Sequence, residues 1–133
     1  MCLEILVRID KEAAARISAK RLGRLVSLVV KSGTLDGEPA LHLSVSGGCS
    51  CEFLSNEAPS DEPTWDLDAT HREKLEAVVR TLSSEAKRFS VLFHWLSGEV
   101  ERTEMRVSPA ELMQALRSNA VGNNVLYRVG SRG

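Results

Sequence analysis

The chain has 133 residues, 43% of them hydrophobic, 26% charged and 5% aromatic, with 17 Lys and Arg against 18 Asp and Glu for a formal net charge of −1. That apolar fraction and balanced charge exclude a disordered chain, and nine Gly with four Pro exclude a collagen-like or low-complexity one. The length fits a single globular domain over residues 1–133, and a near-neutral total argues against the strongly basic surface that general nucleic-acid binding needs.

From the N-terminus, Leu3, Ile5, Val7 and Ile9 alternate with Glu4, Leu6 and Arg8, which predicts a strand with one buried face. Asp10 then opens an Ala-rich helix, Lys11 to Leu22, with Gly23 as its stop. The valine-dense stretch Leu25 to Lys31 reads as a second strand. Leu22, Leu25, Val26 and Val29 also fit a helical stripe, so a longer helix across Gly23 is the alternative. Asp36-Gly37 marks a hairpin turn into the alternating strand Leu41, Leu43, Val45. Gly47-Gly48 breaks that strand, and Cys49 to Leu54 reads as its continuation. Residues 55–64 contain two prolines and the acids Glu57, Asp61 and Glu62, and read as a flexible acidic loop.

Thr70 and Glu73 have capping-box spacing, so a helix is expected from Thr70 to about Arg88. Phe89, Val91, Phe93 and Trp95 then predict a central strand, and the charged alternation of Val100 to Val107 predicts an exposed fifth strand in a hairpin with it. Ser108-Pro109-Ala110-Glu111 combines an N-cap, a proline at the first helical position and a capping-box glutamate. It opens a helix that ends near Asn119. Val125 to Val129 is the last strand. The expected class is α+β: a β-α-β-β-α-β, ferredoxin-like order extended by β-α-β, with a mostly antiparallel sheet and helices on one face.

Charge is segregated along the chain. Arg8 to Lys31 holds seven basic residues and two acids, whereas Ser32 to Leu67 holds seven acids and neither Lys nor Arg. Such asymmetry marks a partner surface or two spans that neutralise each other in the fold. The surface reading takes Glu57, Asp61, Glu62, Trp65 and Asp66 as a candidate docking patch for another protein, with Trp65 as an aromatic anchor or a structural peg.

Cys49-Ser50-Cys51 is the strongest invitation to site chemistry. Extended, the two thiols point the same way with Cα atoms roughly 6.5–7 Å apart, which suits two ligands of one soft divalent metal better than a disulfide. Cys2 is the candidate third ligand, and also a candidate N-terminal nucleophile if Met1 is removed. The plainer reading lets the pair extend the apolar face begun by Leu41, Leu43 and Val45. His42 and His94 sit on predicted strands opposite the main apolar parity and form a candidate groove. Phosphate-loop, dinucleotide-binding, nucleophile-elbow and zinc-protease signatures are missing from the sequence. The basic run Lys20-Arg21-Leu22-Gly23-Arg24 has no interleaved aromatic, which argues against nucleic acid as a partner. No apolar run approaches the ~20 residues that span a bilayer, and Met1 to Arg8 lacks a basic leader, so a cytoplasmic protein with reduced thiols is expected. The functional expectation is a small non-catalytic binding or regulatory module acting through a charged surface. A thiol or metal protein using the Cys-x-Cys pair is the alternative.

Overall fold

The structure, a computed structural model, describes residues 3–54, 67–95 and 101–130. Strand β1 (Leu3–Ile9) is the alternating segment expected, with Leu3, Ile5 and Val7 fully buried. The basic stretch after it folds as two helices rather than one. In α1 (Lys11–Ala14), the Asp10 carboxylate caps the N-terminus by accepting the Ala13 N–H at 2.7 Å. Helix α2 (Ala19–Val26) starts afresh at Ser18, whose hydroxyl accepts the Arg21 N–H at 3.1 Å.

Helix α2 runs through Gly23, and β2 (Val29–Leu35) begins only at Val29, which corrects the strand expected from Leu25. The helical stripe wins because Leu22 and Val26 reach the core, while Leu25 on the other side of the helix stays 55% exposed. Gly23 is a packing residue, not a stop: a Cβ there would lie 2.8 Å from the Leu28 carbonyl oxygen. The helix ends instead at Ser27, which takes the left-handed conformation with φ 57°.

Asp36 (φ 53°) and Gly37 (φ 76°) form the tight hairpin between β2 and β3 (Glu38–Ser44), as the Asp-Gly pair predicts. The expected continuation of this strand at Cys49 is replaced by a 3₁₀ turn, Ser50–Phe53. The reversal begins at Gly47 (φ 102°), whose N–H donates to the Ser44 hydroxyl at 3.0 Å. Helix α3 (Ala69–Glu85) is capped by Asp68, which accepts the His71 N–H at 3.1 Å, and not by Thr70. It stops before Arg88, where β4 (Arg88–Trp95) starts. Strand β5 (Thr103–Val107), helix α4 (Pro109–Arg117) and strand β6 (Val125–Gly130) complete the described chain. Helix α4 carries the predicted capping box in full: the Ser108 hydroxyl accepts the Glu111 N–H at 3.1 Å, and the Glu111 carboxylate accepts the Ser108 N–H at 2.9 Å.

The strands form one sheet in the order β2-β3-β1-β4-β6-β5. Strand β3 is antiparallel to both β1 and β2, so those two run parallel with β3 between them, which is the split βαβ arrangement. Strand β4 flanks β1 on the other side, also antiparallel. The expected β4–β5 hairpin is not formed: β6 pairs with β4, and β5 lies outside it, parallel to β6. A strand charged at alternate positions is tolerated at an edge, and α4 supplies the crossover that a parallel pair needs.

Helices α2, α3 and α4 pack on one face of the sheet. There Leu22, Leu75, Leu82, Leu112 and Leu116 meet Ile5, Leu43, Phe93 and Tyr127 in the main core. On the opposite face Leu6, Leu35, Ala40, Leu92 and Leu126 form a second, smaller cluster. Among the described residues no helix is long and apolar enough to cross a membrane.

Candidate functional site

The second cluster is buried although no helix covers it: Leu92 is 3% and Leu126 4% exposed. An ion pair joins the two edges of the sheet across it. Asp36 sits at the tip of the β2–β3 hairpin at one edge of the sheet, and Arg102 immediately precedes β5 at the other edge. Their side chains form a bidentate pair, Nη1–Oδ1 at 2.7 Å and Nη2–Oδ2 at 2.9 Å. In a flat sheet the edges of six strands stand roughly 24 Å apart, beyond the reach of one arginine. The sheet therefore curls onto its helix-free face, and the hairpin tip closes over the small core.

Around that closure runs a line of charge. Arg102 also approaches Glu104 at 4.0 Å, Glu104 accepts from Arg128 at 3.1 Å, and Arg8 pairs with Glu38 at 2.5 Å. The Arg102 guanidinium holds the Asp36 carboxyl below its usual pKa, with Arg8 and Arg128 adding to the effect. Arg128 does the same for Glu104. The Arg8–Glu38 pair joins the basic span to the acidic span, so part of the segregated charge is neutralised within the fold.

Strands β1 and β3 are in register at Leu6↔His42 and Val7↔Leu41. Toward the end of β1 the two separate, helped by Pro39, which has no N–H to donate. A cavity of about 610 Å³ opens in this splay. Ile9, Ile17, Leu41 and Phe89 line it from the helix side, and Leu35 and Leu126 from the curled side. Arg8, Lys11 and Arg128 bring positive charge to its margins, and Asp10, Asp36 and Glu38 bring negative charge. Volume and lining match those of small-ligand sites, which are mostly apolar with a few convergent polar groups.

A second cavity of about 530 Å³ adjoins the first, sharing Arg88, Phe89, Ser90 and Arg128 and adding Arg106 and Val107. Arg106 lies beside Arg128 in the β5–β6 register, and Arg128 lies beside Ser90 in the β4–β6 register. Neither Arg88 nor Arg106 forms an ion pair among the described residues.

The residues singled out from the sequence fare differently. His42 and His94 do share the helix-free face, as their pairing with Leu6 and Glu4 shows. But β1 runs between their strands, so two strand spacings, roughly 9–10 Å, keep them apart. Cys49 and Cys51 are not on an extended strand, which removes the same-side geometry expected of them. Ser50 between them is the fully buried residue: its hydroxyl accepts the Ile5 N–H at 3.1 Å and donates to the Leu43 carbonyl. The half-buried Cys51 sulfur accepts the Leu3 N–H at 3.2 Å. Together these two side chains tie the start of β1 to the 3₁₀ turn. Among the described residues no three His, Cys, Asp or Glu side chains are grouped as metal ligands. Cys2, the acidic loop 55–64, and Glu57, Asp61, Glu62, Trp65 and Asp66 lie outside the described residues.

The arginines at the cavities escaped the sequence reading. Arg106 and Arg128 stand on alternating strands whose charge was legible, but their adjacency depends on the parallel β5–β6 register, which nothing local encodes. No protein-family model, curated protein or solved structure matches the chain.

Proposed function

We propose that the protein is a non-catalytic binding module that takes a small, largely apolar ligand into the slot between the ends of β1 and β3. The observation that carries this reading is the cavity of about 610 Å³, apolar on both sides, with Arg8, Lys11 and Arg128 and the carboxylates of Asp10, Asp36 and Glu38 at its rim. A binding role is also what the sequence leads one to expect; the acidic surface around Glu57 to Asp66 lies outside the described residues. A metal role for Cys49 and Cys51 gains no support from their placement.

Titration with the neutral fluorophore N-phenyl-1-naphthylamine tests the slot. One saturable site per chain is expected. Ala14→Trp and Ser32→Trp place bulk at exposed positions on the lining, so both variants should fold normally and lose the site. An unsaturable signal, or binding unchanged in both variants, would overturn the reading.

A further inference from the structure

The arginines at the mouth of the slot are arranged at odds with their own repulsion. Arg106 and Arg128 are direct neighbours on β5 and β6, and like charges directly opposite on adjacent strands destabilise a sheet. Glu104 relieves one of them, accepting from Arg128 Nε at 3.1 Å and Nη2 at 3.3 Å. Glu38 likewise neutralises Arg8. Arg88 and Arg106 are left with no ion pair among the described residues, both lining the cavity of about 530 Å³ that continues the slot. Two uncompensated positive charges thus converge on one concave surface, with Arg128 and Ser90 beside them.

We infer that Arg88, Arg106 and Arg128 form a subsite for a phosphoryl dianion, so that the slot's ligand is an apolar molecule carrying a phosphomonoester. The inference rests on the slot being a ligand site. Charge and shape select the group. A phosphomonoester brings a charge of about −1.5 to −2 at pH 7 and three acceptor oxygens, which answers two guanidiniums that have no ion pair among the described residues. A carboxylate brings a single charge and leaves one arginine unanswered. Guanidinium forks match phosphate oxygens in bidentate geometry, and the Ser90 hydroxyl offers one more donor. Among the described residues no exposed aromatic side chain stands beside these arginines for a base to stack on: Phe89, which reaches the cavity wall, is buried with Phe93 and Tyr127 in the main core. That separates the site from a single-stranded nucleic-acid platform.

Calorimetric titrations at low ionic strength with 1-naphthyl phosphate, 1-naphthol and inorganic phosphate test this, on the wild type and on the Arg88→Gln/Arg106→Gln double variant. Both positions are exposed, so the variant should keep the wild-type melting temperature. 1-Naphthyl phosphate is expected to bind about tenfold tighter than 1-naphthol, the scale of one charge-assisted hydrogen bond. In the double variant the two should fall within about twofold, the remainder being screened longer-range attraction. The wild-type preference should grow between pH 5 and pH 7, as the second phosphate proton leaves near a pKa of about 6. Binding of 1-naphthol without any advantage for its phosphate would overturn the subsite and leave the slot standing. Arginine-dependent binding of inorganic phosphate with no gain from the naphthyl group would keep the subsite and remove the slot reading. Absence of binding by all three, or a ratio unchanged in the double variant, would overturn the inference outright.

Discussion

The two faces of the sheet are built by different physics. On the helix-covered face, three helices bury large side chains such as Phe93, Leu82 and Leu112, with the Arg117–Glu76 and Arg21–Glu85 pairs joining the helices to one another. On the other face five small or aliphatic residues are closed over by curvature, and the curvature is fastened by the Asp36–Arg102 pair. The first face has no reason to open. The second depends on a hairpin tip, exposed charges and an adjoining cavity, which are the ingredients of a face that meets ligands.

Truncation of neighbouring residues on β4 measures the difference most directly. Phe93→Ala empties a site in the main core and should cost about 3–5 kcal/mol, whereas Leu92→Ala, in the small cluster, should cost about 2–3 kcal/mol because the curled hairpin can settle into the space. Urea unfolding of the two variants checks this, and equal losses would mean that both faces are packed alike.

Gly23→Ala probes the contact that sets α2 against the sheet. Alanine favours a helix interior over glycine by about 1 kcal/mol, yet its Cβ would stand 2.8 Å from the Leu28 carbonyl oxygen. A net destabilisation of about 1–2 kcal/mol is expected, since overpacking outweighs propensity. A stabilised variant would show that the helix can shift away from β2 and that this face is less rigid than described.

The smallest effect belongs to the fastening of the curled face. Because Arg102 lowers the Asp36 pKa below its ordinary 3.8, the pair contributes stability that is present above that value and is lost as pH falls through the lowered one. Asp36→Asn keeps a residue that tolerates φ 53° but removes the charge. The variant should be slightly less stable than wild type at pH 7, with the gap closing by pH 2 and narrowing in high salt. Urea midpoints at the two pH values check this. A gap that persists in acid would assign the closure to packing by Leu35 rather than to charge.

Much of the framework was legible because it depends on neighbours in sequence. The period-two pattern of β1, the Asp36-Gly37 hairpin and the Ser108–Glu111 capping box need only a few residues to be specified, and each is found where its pattern places it. The structure departs from the local patterns where contacts made in the fold compete with them. Gly23 has the sequence signature of a helix stop, but its role is set by the carbonyl of Leu28, which the turn between α2 and β2 folds back against it. The Cys49-Ser50-Cys51 segment folds as a turn where an extended strand is expected. The buried residue is the serine between the cysteines, chosen by unpaired backbone groups of β1 and β3 that only the folded sheet brings near.

The candidate site shows the same division more sharply. Sequence alone determined an α+β chain with its charges sorted along it, because composition and periodicity act over a few residues. Which charges meet was decided by strand order and curl. Asp36 and Arg102 are 66 positions apart, and Arg106 neighbours Arg128 only because β6 inserts between β4 and β5. Strand registry and sheet curvature minimise the free energy of the whole sheet at once, so no single segment carries the instruction for either.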